Sequence, residues 1–161
     1  MILPDYAIRD WAEHGGLSPF DPACINPASV DLRWSGRVRV ASPVGWGEVR
    51  DFDGYTLIPG VLYLLDTLEI VAMADNLAGI LALKSSMGRQ GLEHLHAGFV
   101  DPGFTGTLTL EMEVRAPWPI LLARGQRIMQ LILERMEDIP DAPYYLTGRY
   151  CGQNEPQPAR R

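Results

Sequence analysis

From residue 29 onward the chain is dominated by short runs in which apolar and polar positions alternate, the period of a half-buried strand. The clearest is Thr107-Leu108-Thr109-Leu110-Glu111-Met112-Glu113, with Leu108, Leu110 and Met112 on one face and threonines and glutamates on the other. Strands are predicted over Ser29–Arg33, Arg37–Val40, Leu62–Leu65, Leu68–Ala72, Gly79–Lys84, Thr107–Val114, Ile120–Leu122 and Ile128–Glu134. Turn signals separate them, among them Asp53-Gly54, Pro59-Gly60, Asp101-Pro102-Gly103 and Arg124-Gly125. Residues 5–14 read instead as a short helix, with Asp5 as its cap, Tyr6, Ile8, Trp11 and Ala12 as its apolar face, and Gly15-Gly16 as its stop. Many short strands at this spacing predict an all-β sandwich or closed barrel, and no repeat or linker divides residues 1–161, so one domain is expected. Residues 154–161 are polar and broken by prolines; alone they cannot pack and read as a frayed tail.

Composition narrows the function classes. The net charge of −6 leaves no basic surface for a nucleic-acid duplex, although local arginines can still hold a small polyanion. Cys24 and Cys151 are the only two cysteines and lie far apart, which is neither a disulfide framework nor a metal site and fits a reducing cytoplasm. The N-terminus carries Asp5, Arg9, Asp10 and Glu13 among its apolar residues and is not a signal peptide, and no apolar run reaches the ~18 residues of a membrane span. A soluble, cytoplasmic protein with no membrane partner is expected.

Candidate chemistry concentrates in residues 84–111. A segment with two hydroxyls and an arginine, Lys84-Ser85-Ser86-Met87-Gly88-Arg89, precedes an Asp101-Pro102-Gly103 turn and the strand that carries Glu111. A hydroxyl, a guanidinium and a carboxylate on a rigid frame can bind a phosphorylated ligand and activate a water beside it. Each feature also has a plainer reading. Glu111 can be an outward strand residue in a polar rim, Ser85-Ser86 a capping turn, and Asp101-Pro102-Gly103 a routine turn. Trp34, Trp46, Trp118 and Phe52 read as core or subunit contact.

Five segments in order resemble the dCTP deaminases, the branch of the trimeric dUTPase-like superfamily that deaminates deoxycytidine triphosphate. They are Pro19-Phe20-Asp21 with Ile25 through Arg33; Ser85-Ser86-Met87-Gly88-Arg89; Ala97 through Glu111; Gly125-Gln126-Arg127-Ile128-Met129-Gln130-Leu131; and Tyr150-Cys151-Gly152-Gln153. Phe104 stands where the pyrophosphatase branch carries tyrosine, Glu111 occupies the deaminase position, and no glycine-rich tail follows. The resemblance implies a distorted jelly-roll-like barrel with a short N-terminal helix, assembled as a homotrimer with each site built between subunits. It implies hydrolytic deamination of dCTP to dUTP and ammonia, with Mg²⁺ carried on the triphosphate. A bifunctional member that continues to dUMP and pyrophosphate, a dUTPase-like nucleotide-binding regulator, and action on a 5-substituted dCTP are the alternatives.

The same resemblance implies roles for single residues. Glu111 activates the water, with Ser85, the Ala97 carbonyl and Arg89 around it. Lys84 and Ser86 offer donors to the triphosphate, and Lys84 departs from the arginine usual there. Asp101 and Phe104 meet the sugar, Thr109 and Leu110 lie on the substrate-binding strand, and Tyr144 or Tyr145, Arg149 and Gln153 belong to a tail (about 149–161) that closes over the site. Arg127 is either a phosphate ligand or an interface charge. Zinc deaminases use a His-x-Glu and Pro-Cys-x-x-Cys signature that this chain lacks. His94 and His96 are therefore expected at the surface or an interface, and the water is expected to be activated without zinc.

Overall fold

The computed structural model describes residues 1–95 and 97–160. Helix α1 (Asp5–Trp11) begins after Pro4, so Asp5 lies inside the first turn rather than before it. There the Asp5 carboxylate accepts from the Tyr6 amide at 2.8 Å and complements the positive end of the helix. The helix widens over Ala12–Gly16 and stops where Gly15 takes φ +95°. Ile8 and Ala12 are buried, while Tyr6 is 74% exposed, so the apolar face is narrower than its spacing predicts.

The principal strands are β1 (Ser29–Ser42), β2 (Gly54–Leu57), β3 (Leu62–Thr67), β4 (Ile70–Ala72), β5 (Leu77–Leu83), β6 (Leu92–His94), β7 (Phe99–Val100), β8 (Thr109–Val114), β9 (Ile120–Ala123) and β10 (Arg127–Arg135). One curled antiparallel sheet runs in the order β6-β8-β3-β1-β10-β5-β7 and forms a half-barrel. Strand β4 pairs with Leu17–Ser18 and Thr105–Gly106 in a smaller sheet, and β9 pairs with β2. The two runs read as Ser29–Arg33 and Arg37–Val40 are one strand, because Gly36 at φ +102° absorbs an irregularity in the pairing with β3 between Trp34 and Val38.

The alternation of β8 is realised residue by residue: Leu110, Met112 and Val114 are buried, and Thr109, Glu111 and Glu113 point to the other face. The core joins Leu110 and Met112 to Leu32, Trp34, Leu65, Ile128, Met129 and Leu131 across the half-barrel. Trp34 is completely buried, Trp46 half-buried, Phe52 packed against the core, and Trp118 56% exposed.

Charge is buried within this frame as well. Asp66, fully buried on β3, receives the Ser35 hydroxyl and the Arg37 guanidinium, the latter at 2.6 Å. Burial pushes the Asp66 carboxyl above its usual range, against Ser35 and Arg37, which favour the charged form. Replacing Arg37 with alanine leaves this carboxylate buried without its cation and is expected to cost about 3 kcal/mol at neutral pH. Because the folded-state pKa of Asp66 then lies still further above its unfolded value, the deficit appears as pH rises through that interval and shrinks on acidification toward pH ~4. Urea unfolding of both proteins across that range measures it.

Candidate active site

Two features of the chain near residue 100 shape the site. Asp101-Pro102-Gly103-Phe104 closes a tight turn in which the Phe104 amide donates to the Asp101 carbonyl at 3.2 Å, and Gly103 takes φ +79°. A Cβ on Gly103 would also come within 2.8 Å of the Tyr145 ring and 3.0 Å of Pro143, so both the backbone and the space require glycine. The turn carries Phe104 into the core, 5% exposed, where its ring packs on Tyr144 with centroids 5.6 Å apart.

Beside this turn lies a cavity of about 260 Å³. Its walls include Ala97, Asp101, Phe104, Thr109, Glu111, Tyr144 and Gln153 from the sequence expectations, and add Leu81, Leu108, Tyr150 and Gln157. Of the two candidate tyrosines, Tyr144 lines the cavity and Tyr145 is 53% exposed. Leu110 is fully buried on the core face of β8, so its side chain is turned away and only its backbone remains to meet a ligand. A wider, open groove of about 780 Å³ adjoins the cavity, sharing Phe99, Asp101, Tyr144 and Tyr150 and adding Arg135 and Arg149. The arrangement is a small carboxylate-bearing chamber that opens to a groove carrying both Arg135 and Arg149 and the carboxylates Asp101 and Glu134.

Glu111 is the one acid on the cavity side of β8 that no arginine claims among the described residues, since Glu113 lies 3.4 Å from Arg115, which also binds Glu93 at 2.5 Å. One Glu111 oxygen, Oε2, is buried without a hydrogen-bond partner among the described residues and lies 3.6 Å from Nε2 of His94. His94 is 4% exposed, which corrects its expected place at the surface or an interface; its strand β6 pairs with β8 and turns the imidazole inward. His96 lies outside the described residues. Among the described residues no group of three or more His, Cys, Asp or Glu side chains is placed to hold a metal ion.

The hydroxyl-and-arginine segment lies elsewhere. Ser85 and Ser86 open a single helical turn, α2 (Ser85–Gly88), past the end of β5, and both serines and Arg89 are exposed. None of Lys84, Ser85, Ser86 or Arg89 is among the residues lining the Glu111 cavity. The Lys84 ammonium is paired with buried Asp31 at 2.6 Å, and Arg127 approaches the same carboxylate at 3.7 Å. The chain therefore holds the carboxylate chamber and the hydroxyl-and-guanidinium turn apart from one another.

The segment after Arg149 does not hang free in this conformation. The Gly152 amide donates to Thr105 O at 2.6 Å, Gln153 Nε2 to Thr107 O at 2.6 Å, and the Gln157 amide to Thr109 Oγ1 at 3.1 Å. Arg39 fastens it from β1, donating to Pro156 O at 2.8 Å and to Glu155 Oε1 at 3.0 Å, and Pro156 is buried beneath. The register Arg39–Leu64–Glu111 across β1, β3 and β8 puts this clamp in line with the carboxylate. Neither Arg39 nor Gln157 was legible beforehand, because their partners lie on distant segments.

The curled antiparallel half-barrel with its short N-terminal helix is a dUTPase-like fold. The solved dUTPase of Streptococcus mutans shares the fold, with a TM-score of 0.50 over 75% of this chain and 92% of that one at 18% identity. A 2′-deoxycytidine 5′-triphosphate deaminase from Agrobacterium tumefaciens matches with a TM-score of 0.73 and 26% identity over 83% of this chain; this chain spans 48% of that structure's length. Residues 2–136 match the family model described as dCTP deaminase-like. The protein named "dCTP deaminase, dUMP-forming" in Salinispora tropica is 39% identical over 99% of this chain and 94% of its own length. Its namesake in Corynebacterium glutamicum is 38% identical over 99% and 96%. The chain belongs to the dCTP deaminase-like family.

Proposed function

We propose that this protein deaminates dCTP and carries the product on to dUMP and pyrophosphate. The observation that carries the reading is Glu111, the acid of β8 left without an arginine among the described residues, at the wall of a chamber of about 260 Å³ that it shares with Asp101 and that adjoins a groove with Arg135 and Arg149. The chamber is the size class of a base and sugar, and the arginines suit phosphates. The sequence expectation stopped at dUTP; the relatives named dUMP-forming favour the longer course.

In the first step water adds across C4=N3 of cytosine: its oxygen bonds to C4 while Glu111 accepts one water proton and passes it to N3. The remaining hydroxyl proton then moves by way of Glu111 to the amine, the C4–N4 bond breaks, and ammonia leaves uracil with a C4 carbonyl and a protonated N3. In the second, water attacks the α-phosphorus of dUTP and pyrophosphate departs. Mg²⁺ enters with the substrate, held by the phosphate oxygens, where it offsets their charge. Asp101 and Tyr144 lie at the junction of chamber and groove, the position for the sugar. Two separated half-sites on one chain support a homotrimer in which Ser85, Ser86 and Arg89 of one subunit complete the chamber of the next. There Arg89 steadies charge developing on the base.

The purified protein is to be incubated with dCTP and, separately, with dUTP, with Mg²⁺ and a zinc-selective chelator present, and the nucleotides separated. dUMP with pyrophosphate from dCTP is the expected result, undiminished by the chelator. Accumulation of dUTP would return the shorter reaction, hydrolysis of dUTP alone would return the pyrophosphatase branch, and tight binding without turnover would make the protein a regulator.

The tail is assigned the lid. Removing residues 149–161 takes away Arg149, Gln153 and the strap over Thr105–Thr109, and is expected to raise KM for dCTP by about tenfold or more while the thermal transition stays in place. Unchanged KM in the truncated protein would leave the tail without a part in binding.

A further inference from the structure

The fold buries two polar atoms beside the chamber and satisfies neither of them. They are Nε2 of His94 and Oε2 of Glu111, each without a hydrogen-bond partner among the described residues, and they face each other at 3.6 Å. Buried polar atoms are paired as a rule, and an N–H to oxygen bond forms at ~2.7–3.2 Å, so a small rotation of either side chain closes this one.

The surroundings leave each group little else to bind. Strand β6 pairs with β8 through Leu92–Val114 and His94–Met112, and the Leu95 amide donates to the Glu111 carbonyl at 3.0 Å, which ties the backbones that carry the two side chains. Glu93 and Glu113, the other acids of these strands, are engaged by Arg115. Gly98 borders the ring on the far side, where a Cβ would touch Cε1 at an ordinary 3.5 Å and would crowd Leu81 O at 2.9 Å.

We infer that His94 is a positioning residue for Glu111, donating its Nε2 proton to Oε2 in the substrate-bound enzyme. The inference rests on the deaminase reading given above. Oε2 is then held away from solvent, Oε1 is left as the oxygen that meets the water, and the carboxylate has one orientation instead of several. Proton transfer from the water is confined to Oε1, whose geometry toward C4 the histidine sets. His94 touches no reacting atom and acts through the carboxylate alone.

Three variants test this in the full-length protein. Histidine-to-phenylalanine at 94 keeps the ring's bulk and removes the donor. His94→Gln puts an amide nitrogen near the place of Nε2, and His94→Asn puts one too short to reach. The quantities read are kcat and KM for dCTP, binding of a non-hydrolysable dCTP analogue, and thermal unfolding. His94→Phe is expected to lose about tenfold or more in kcat with KM and analogue binding within about threefold of wild type, and His94→Gln to recover most of that loss while His94→Asn does not. Wild-type kcat in all three variants, glutamine no better than asparagine, or a loss confined to KM and thermal stability would each overturn the inference. Should the phenylalanine variant fail to fold, the glutamine–asparagine pair decides alone. Absence of dCTP turnover in the wild type defeats the parent reading instead, so the two failures are told apart.

Discussion

Glu111→Gln is expected to reduce deamination of dCTP by about 10²–10⁴-fold while binding of the nucleotide stays nearly unchanged. Glutamine keeps the size of the side chain and can occupy the same wall of the chamber, so the structural cost is small. What it loses is the capacity to take a proton from water and return one to the amine. The buried oxygen beside His94 sharpens the expectation. If the amide nitrogen is placed there it meets the imidazole donor to donor, and if the amide oxygen is placed there a non-basic NH₂ faces the water. Either orientation leaves position 111 without a base. Steady-state kinetics together with equilibrium binding of a non-hydrolysable analogue separates the two effects, and near-normal turnover in this variant would remove Glu111 from the mechanism.

How far the sequence announces this site depends on the range over which each interaction acts. The strand that carries Glu111 is legible because alternation is a local property, and its burial pattern follows the pattern of its letters. The Asp101–Gly103 turn is legible for the same reason: proline and glycine set the backbone angles wherever they stand. The helix is legible in place but not in its details, since its cap and its exposed Tyr6 depend on what lies against it. Gly36, which falls between the two predicted runs, is a local irregularity inside a strand of fourteen residues, because β1 pairs with β3 on both sides of it.

Interactions set by register escape the eye. His94 meets Glu111 only because β6 and β8 are aligned Leu92 to Val114, and no spacing in the sequence states that alignment. Lys84 reads as a free cation beside two serines, yet its partner Asp31 lies fifty-three positions away on β1. The polar, proline-broken tail cannot pack on itself. The backbone of Thr105–Thr109 offers it a border of free groups, and Arg39 offers a clamp, so it packs on them. Family resemblance brought the residues of the chamber together; the physical partners that hold them came from the fold.

The separation of the hydroxyl-and-arginine segment from the Glu111 chamber has a consequence that two inactive proteins can reveal together. If each working site takes Glu111 from one subunit and Ser85, Ser86 and Arg89 from its neighbour, then Glu111→Gln and Arg89→Ala each disable every site of a pure trimer. In trimers reassembled from an equal mixture, a site works when its carboxylate comes from the Arg89→Ala chain and its arginine from the Glu111→Gln chain. Random assortment gives that combination at about one quarter of the sites. Mixing, mild dissociation and reassembly should therefore restore deamination to about a quarter of the wild-type rate, from parents that retain next to none. A site built within one chain gives the opposite outcome, because every chain in the mixture lacks one necessary group and no arrangement of subunits repairs it. The restored rate, measured against the mole fraction of each parent, should rise and fall as the product of the two fractions and peak at equal amounts. A flat line along that axis would place both half-sites in one subunit, and the exposed Ser85 and Arg89 would then need a rearrangement of the β5–α2 corner to reach the carboxylate.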